Sequence, residues 1–125
     1  MFRDVLVGEG RAATAGDQVA VDYTGRLEDG TVFDSSEGRG PISFTIGMRE
    51  VIKGWEEGIT GMHVGGKRQL VLPPHLGYGA QGAPPAIPPN ALLHFDVELQ
   101  SASAEAEQGG MFTRLMTLLK ALPIK

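Results

Sequence analysis

The feature that most constrains this chain is a set of short apolar and polar alternations separated by glycine- and proline-bearing turns. Val19, Val21 and Tyr23 alternate with Ala20, Asp22 and Thr24; Ile42, Phe44 and Ile46 with Ser43, Thr45 and Gly47; Arg68, Leu70 and Leu72 with Gln69 and Val71. Leu93, Phe95, Val97 and Leu99 share a face opposite His94, Asp96 and Glu98. A period of two puts every second side chain on one face of a strand, so each run predicts a strand with one buried side. Glu28-Asp29-Gly30-Thr31 predicts a hairpin turn, because Asp-Gly supplies the positive φ angles that tight hairpins require. Inside the domain only residues 54–62 read as a helix, and glycines at both ends keep it short. The pattern predicts an α+β domain: an antiparallel sheet, polar on one face and packed on one short helix with the other.

Composition narrows the function classes. At 125 residues the chain is long enough for one domain with one core. A hydrophobic fraction of 42% and a charged fraction of 21% place it among globular chains. A net charge of -4 gives no basic surface for nucleic acid. With no cysteine there are neither disulfides nor thiolate metal sites. His63, His75 and His94 show no ligand spacing and no Ser/His/Asp arrangement, so neither a metal nor a cofactor is expected. The first ten residues hold no apolar stretch of signal-peptide length, which makes the cytoplasm the expected location. Gly61-Met62-His63-Val64-Gly65-Gly66-Lys67 imitates the spacing of a phosphate-binding loop. However, Arg68 stands where a metal-holding Ser or Thr is needed, and the stretch leaves a helix for a strand, the reverse of that loop's setting.

The only tryptophan lies in Val51-Ile52-Lys53-Gly54-Trp55-Glu56-Glu57-Gly58, between apolar residues and two glycines. An indole at a strand-to-helix corner can anchor a core or form the flat floor of an apolar pocket. Around it in sequence stand Val21-Asp22-Tyr23-Thr24-Gly25, Gly30-Thr31-Val32-Phe33-Asp34-Ser35-Ser36, Leu76-Gly77-Tyr78-Gly79, Ile87-Pro88-Pro89-Asn90-Ala91 and Leu93-His94-Phe95-Asp96-Val97-Glu98-Leu99. In this order and spacing the set resembles the FKBP family of peptidyl-prolyl cis/trans isomerases, the targets of the macrolides tacrolimus and rapamycin. The resemblance covers residues 5–101 and implies a curved antiparallel sheet wrapped around the helix, with the pocket between them.

The absence of a nucleophile fits such an activity. Rotating an Xaa-Pro bond breaks no covalent bond; its barrier of about 18–20 kcal/mol is lost amide resonance. A twisted amide has less charge separation than a planar one, so an apolar, water-poor cavity favours it. Tyr23, Phe33, Phe44, Trp55 and Phe95 can build that cavity, with Val51, Ile52 and Ile87 at its sides and Asp34 and Tyr78 as its polar groups. The resemblance assigns each a role. Trp55 is the floor under the proline ring, Tyr23, Phe44 and Phe95 the wall, and Phe33 lies beside the amide. The Ile52 N–H and the Tyr78 hydroxyl would hold substrate carbonyls. Asp34 would lie near the rotating carbonyl and accept from Tyr23. The same aromatics also serve as core packing, since a pocket wall is core. Asp34 directly after Val-Phe, and Tyr78 between two glycines, are poor choices for packing alone.

The chain departs from better-known members at Ile42, where an aromatic often stands at the sheet edge, and at Ala83 and Ala86, where larger side chains commonly line the rim. Weaker binding of bulky macrolides, and of bulky residues before proline, is the expected consequence. The loop 79–91 is too short for the inserted chaperone domain of some bacterial relatives, which argues against strong holdase activity. Residues 73–91 carry three proline pairs; they lack the PxxP spacing and flanking arginine of a polyproline ligand. Two other readings are a non-catalytic module holding proline-containing or apolar ligands in this pocket, and an interaction protein acting through its tail. Residues 102–110 read as a polar linker. In 111–125, Met111, Phe112, Leu115, Met116, Leu118, Leu119 and Leu122 recur at helical spacing before Pro123, an amphipathic helix too short to span a bilayer. Residues 111–122 are expected to dock on this domain, a second copy or another protein. The basic residues there are few for a membrane surface.

Overall fold

The computed structural model describes residues 2–104. They form six strands and one α-helix: β1 (Phe2–Leu6), β2 (Asp17–Leu27), β3 (Val32–Ser35), β4 (Ile42–Thr45), α1 (Lys53–Ile59), β5 (Lys67–Leu72) and β6 (Leu93–Ala104), with a 3-10 turn at Pro74–Leu76. Every pairing is antiparallel, in the order β1-β5-β6-β2-β3, and β4 also pairs with β2. The outer edge of β2 is shared, since Gln18–Val21 face β4 whereas Thr24–Arg26 face β3. Between them the Tyr23 N–H donates to buried Ser36 Oγ at 2.9 Å and the Ser36 N–H donates to Tyr23 O at 2.9 Å, so the gap between the two short strands keeps its hydrogen bonds.

The antiparallel sheet with one short helix is the expected α+β architecture, with differences at its margins. Helix α1 ends at Ile59 rather than residue 62, because Thr60 turns extended (ψ 129°) and Gly61 takes φ +93° while its N–H goes to Ala13 O. The expected hairpin is present: Gly30 has φ +92°, Leu27 N–H donates to Thr31 O, and Thr31 N–H donates to Asp29 Oδ1. Strand β6 runs to Ala104, into the stretch read as linker. Ala102, Ser103 and Ala104 look like linker residues, yet each sits opposite the start of β2, with Asp17 facing Ala104. A register shift near Ala20 bends this end of the pair. Strand β1 has no alternation to announce it and is exposed along its length. Residues 105–110 and the amphipathic segment 111–125 lie outside the described residues.

The core fills the space between the inner sheet face and α1. Val19, Val21, Leu70, Leu72, Leu93 and Leu99 are almost wholly buried against Ile59 of the helix. The two glycines of α1 set how close helix and sheet approach. A Cβ on Gly54 would lie 2.5 Å from both methyls of Leu72, and one on Gly58 2.7 Å from a methyl of Leu70. Gly58→Ala therefore opposes a helix-propensity gain of about 1 kcal/mol with overpacking of about 1–3 kcal/mol. Net destabilisation is expected as a lower urea midpoint; an unchanged or raised midpoint would show that Leu70 yields.

Candidate active site

Trp55 sits in the first turn of α1 and points into a cage of rings. Tyr23 meets it edge-on at 4.9 Å between centroids and 77° between planes, Phe95 at 5.4 Å and 85°, and Phe44 at a tilt, 5.9 Å and 47°. Phe33 meets Phe95 at 5.5 Å and 86°. Edge-to-face contacts favour the aromatic quadrupoles and hold each ring in one orientation. Gly25 makes room for them, since a Cβ there would come within 2.7 Å of both Phe33 and Phe95. The buried Trp55 indole N–H has no hydrogen-bond partner among the described residues, an uncommon state for a buried donor.

Above the indole opens a cleft of about 200 Å³, lined by Tyr23, Phe33, Asp34, Ile42, Glu50, Val51, Ile52, Trp55, Tyr78 and Phe95. A larger hollow of about 510 Å³ lies among polar residues such as Asp22, Thr24, Gln69, Asp96 and Glu98. The smaller has the aromatic walls, with Tyr23, Phe33, Trp55, Tyr78 and Phe95 all lining it. The larger is a shallow face where Asp22 accepts from Gln100 and Asp96 pairs with Arg26.

The polar side of the cleft is a closed network. Asp34 Oδ2 accepts from the Tyr23 hydroxyl at 2.7 Å, and Oδ1 accepts from Arg39 Nη2 and the Ser35 N–H, each at 2.9 Å. Arg39 Nη2 also donates to the Tyr23 hydroxyl at 3.1 Å. Burial, then the Asp34 hydrogen bond and charge, push the Tyr23 phenol above its ordinary value, against the opposing pull of Arg39. Burial, then the Asp34 charge, raise Tyr78 as well. Both phenols are therefore protonated at neutral pH and able to donate. Raised values also mean that their contribution to stability is complete below the unfolded phenol value and lost only as alkaline pH passes the folded one.

Tyr78 reaches the rim from the glycine-bounded turn after Leu76, with Gly79 at φ +67° and the Gly79 carbonyl accepting from the Asn90 N–H at 3.0 Å. Its hydroxyl has no partner among the described residues, and the same holds for the Ile52 N–H at the N-cap of α1. Two unengaged donors thus border one apolar cleft.

Nine of the residues singled out from sequence meet here: Tyr23, Phe33, Asp34, Ile42, Val51, Ile52, Trp55, Tyr78 and Phe95. Phe44 and Ile87 do not line the cleft. Phe44, on β4, is buried beside Trp55 and supports the floor. Ile87 is drawn into the core by paired backbone bonds with Ala83, 2.8 and 3.0 Å. Three contributors went unrecognised in the sequence. Arg39 completes the Asp34 network. Glu50 lines the cleft and accepts from the Thr45 N–H at 2.9 Å. Glu56 Oε2 accepts from the Gly47 and Arg49 N–H groups, each at 3.0 Å, and so fixes the turn leading into α1. No group of metal-binding side chains is present among the described residues, and no helix there is long and apolar enough to cross a membrane.

The profile of the family described as FKBP-type peptidyl-prolyl cis-trans isomerase matches residues 9–100. "FK506-binding protein 4" of Dictyostelium discoideum is 53% identical over 102 residues, covering 82% of this chain but only 28% of that relative. "FK506-binding protein" of Neisseria meningitidis serogroup A / serotype 4A (strain DSM 15465 / Z2491) is 51% identical over 100 residues, covering 79% of this chain and 92% of that protein. The crystal structure of AtFKBP13 superimposes with a TM-score of 0.77 at 44% identity, covering 82% of this chain and 91% of that one. The profile spans most of the chain, two relatives exceed half identity, and a solved structure shares the fold; this chain belongs to the FKBP-type peptidyl-prolyl cis-trans isomerase family.

Proposed function

We propose that this chain is a peptidyl-prolyl cis/trans isomerase acting on Xaa-Pro bonds of peptides and unfolded segments, and that tacrolimus- and rapamycin-type macrolides occupy the same cleft. The observation that carries this reading is the aromatic cleft over Trp55 with two unengaged donors at its border. The proline ring rests on the indole between Tyr23 and Phe95, in planar and twisted forms alike. The Ile52 N–H and the Tyr78 hydroxyl hold flanking carbonyls and fix the backbone on either side of the bond. The amide then turns beside Phe33 and Asp34 over the aromatic floor, where the weakly polar twisted state loses least. Asp34 acts from its bond to Tyr23, a fixed negative charge facing the rotating carbonyl. No proton needs to move and no cofactor enters.

The purified chain should accelerate cis/trans exchange of a short Xaa-Pro peptide, which otherwise takes tens to hundreds of seconds. Rapamycin should inhibit competitively and change the fluorescence of Trp55, the single indole of the chain. Full activity at saturating rapamycin would remove the catalysis from this cleft. Macrolide binding without acceleration would establish the module as a non-catalytic binder.

A further inference from the structure

Arg68 lies on β5 with its side chain turned inward, and it is 7% exposed. Its Nε donates to Asp4 Oδ1 at 2.6 Å and Nη2 to Asp4 Oδ2 at 3.4 Å. Nη1 donates to Gly58 O at 2.9 Å and to Thr60 O at 3.4 Å, the carbonyls at the C-terminal end of α1. The guanidinium stacks over the Phe2 ring, 4.0 Å from its centroid. One buried cation therefore joins the edge strand β1 to the helix that carries the cleft floor. Helix α1 has no basic residue in its own last turn, and Arg68 supplies that charge from the sheet.

We infer that Arg68 is a positioning residue for the isomerase cleft: its bonds to Asp4 and to the Gly58 carbonyl set where α1 stops along the sheet, and hence where Trp55 and the Ile52 N–H stand. The inference rests on the isomerase reading of that cleft. The contact of Gly54 and Gly58 with Leu72 and Leu70 sets how near the helix lies to the sheet, and it contributes no directional bond at the helix end. A guanidinium hydrogen bond has direction and length. Trp55 is three residues before Gly58 in a helix of seven residues, so a displacement at one end is a displacement of the whole. Strand β1 stands at the sheet edge beyond β5, β6 and β2, yet Asp4 holds the guanidinium that locates the floor.

The test compares full-length Asp4→Asn, Arg68→Met and Arg68→Lys with the parent, reading Trp55 emission together with KM and kcat for an Xaa-Pro peptide. Displacing a positioned group costs up to about a hundredfold, and on the order of ten-fold is expected here for Asp4→Asn and Arg68→Met. The loss should fall in KM with kcat little changed, because the floor supports planar and twisted forms equally. Trp55 emission should shift in both. Arg68→Lys, which keeps the charge but not the fork, should recover part of the loss. If Arg68→Met fails to fold, Asp4→Asn alone decides, since it removes only a charge from a partly exposed partner. Folded variants with parental emission and parental KM would overturn the inference. Trp55 emission needs no turnover, so an inactive parent would overturn the isomerase reading while leaving the positioning of the floor decided by the spectra.

Discussion

Trp55→Ala is expected to raise KM for peptide isomerisation steeply and to lower folding stability by about 3–5 kcal/mol, the usual cost of deleting a large buried ring. The indole is 4% exposed and touches Tyr23, Phe44 and Phe95, so its removal opens a cavity that three oriented rings cannot fill together. A loss of that size is a large part of the total for a domain of this length, and the assay belongs at low temperature with the folded fraction measured by urea titration. Phe44→Ala separates packing from catalysis. Phe44 is equally buried but lies outside the cleft, so it should lose stability while keeping far more activity per folded molecule. Equal activity losses per folded molecule in the two variants would show that the floor contributes only packing.

Asp34→Val should lower kcat/KM by about a hundredfold, the low end of the range found when one preorganised electrostatic group is removed from a catalytic site. The fold should survive. The Asp34 side chain is 48% exposed, so little packing is lost, and valine suits a strand. What disappears is the acceptor of the Tyr23 hydroxyl and the partner of Arg39. Arg39→Gln should cost less, because the 2.7 Å Tyr23–Asp34 bond remains. Tyr78→Phe should also be mild, removing one donor at the rim. A folded Asp34→Val protein turning over at the parental rate would show that the carboxylate is a bystander.

Strands β2, β5 and β6 were legible because burial on one face writes a period of two into the sequence, whereas in β4 the alternation was read correctly as a strand although Ile42 is exposed and only Phe44 is buried. Strand β1 carries none, since it is exposed throughout and held by Asp4 and Phe2 against Arg68 rather than by a buried face. The last residues of β6 were read as linker because Ala102 to Ala104 are small and carry no apolar alternation, and their pairing comes from the backbone of β2. Within the site, aromatics beside glycines stand out chemically, and Gly25 is small because Phe33 and Phe95 occupy its Cβ space. Arg39, Glu50 and Glu56 do not stand out. A charged residue in a turn reads as solvated until the fold brings an acceptor or a pair of N–H groups against it. Phe44 and Ile87 have the composition of a pocket wall, and only depth in the sheet and a folded-back loop place them behind it.

The pairing of β2 with β6 joins opposite ends of the described chain, from Asp17 with Ala104 to Leu27 with Leu93. Joining distant segments has an entropic cost before any contact offsets it, and topologies dominated by such pairings fold over about milliseconds to seconds. Tyr23 comes from one partner and Phe95 from the other, so the two ring walls beside Trp55 meet only when this ribbon closes. A chain emerging from the ribosome can form the β2–β3 hairpin early, but it has no cleft until β6 has been made and docked at the centre of the sheet. The binding surface of this fold thus cannot exist before its last described strand is paired.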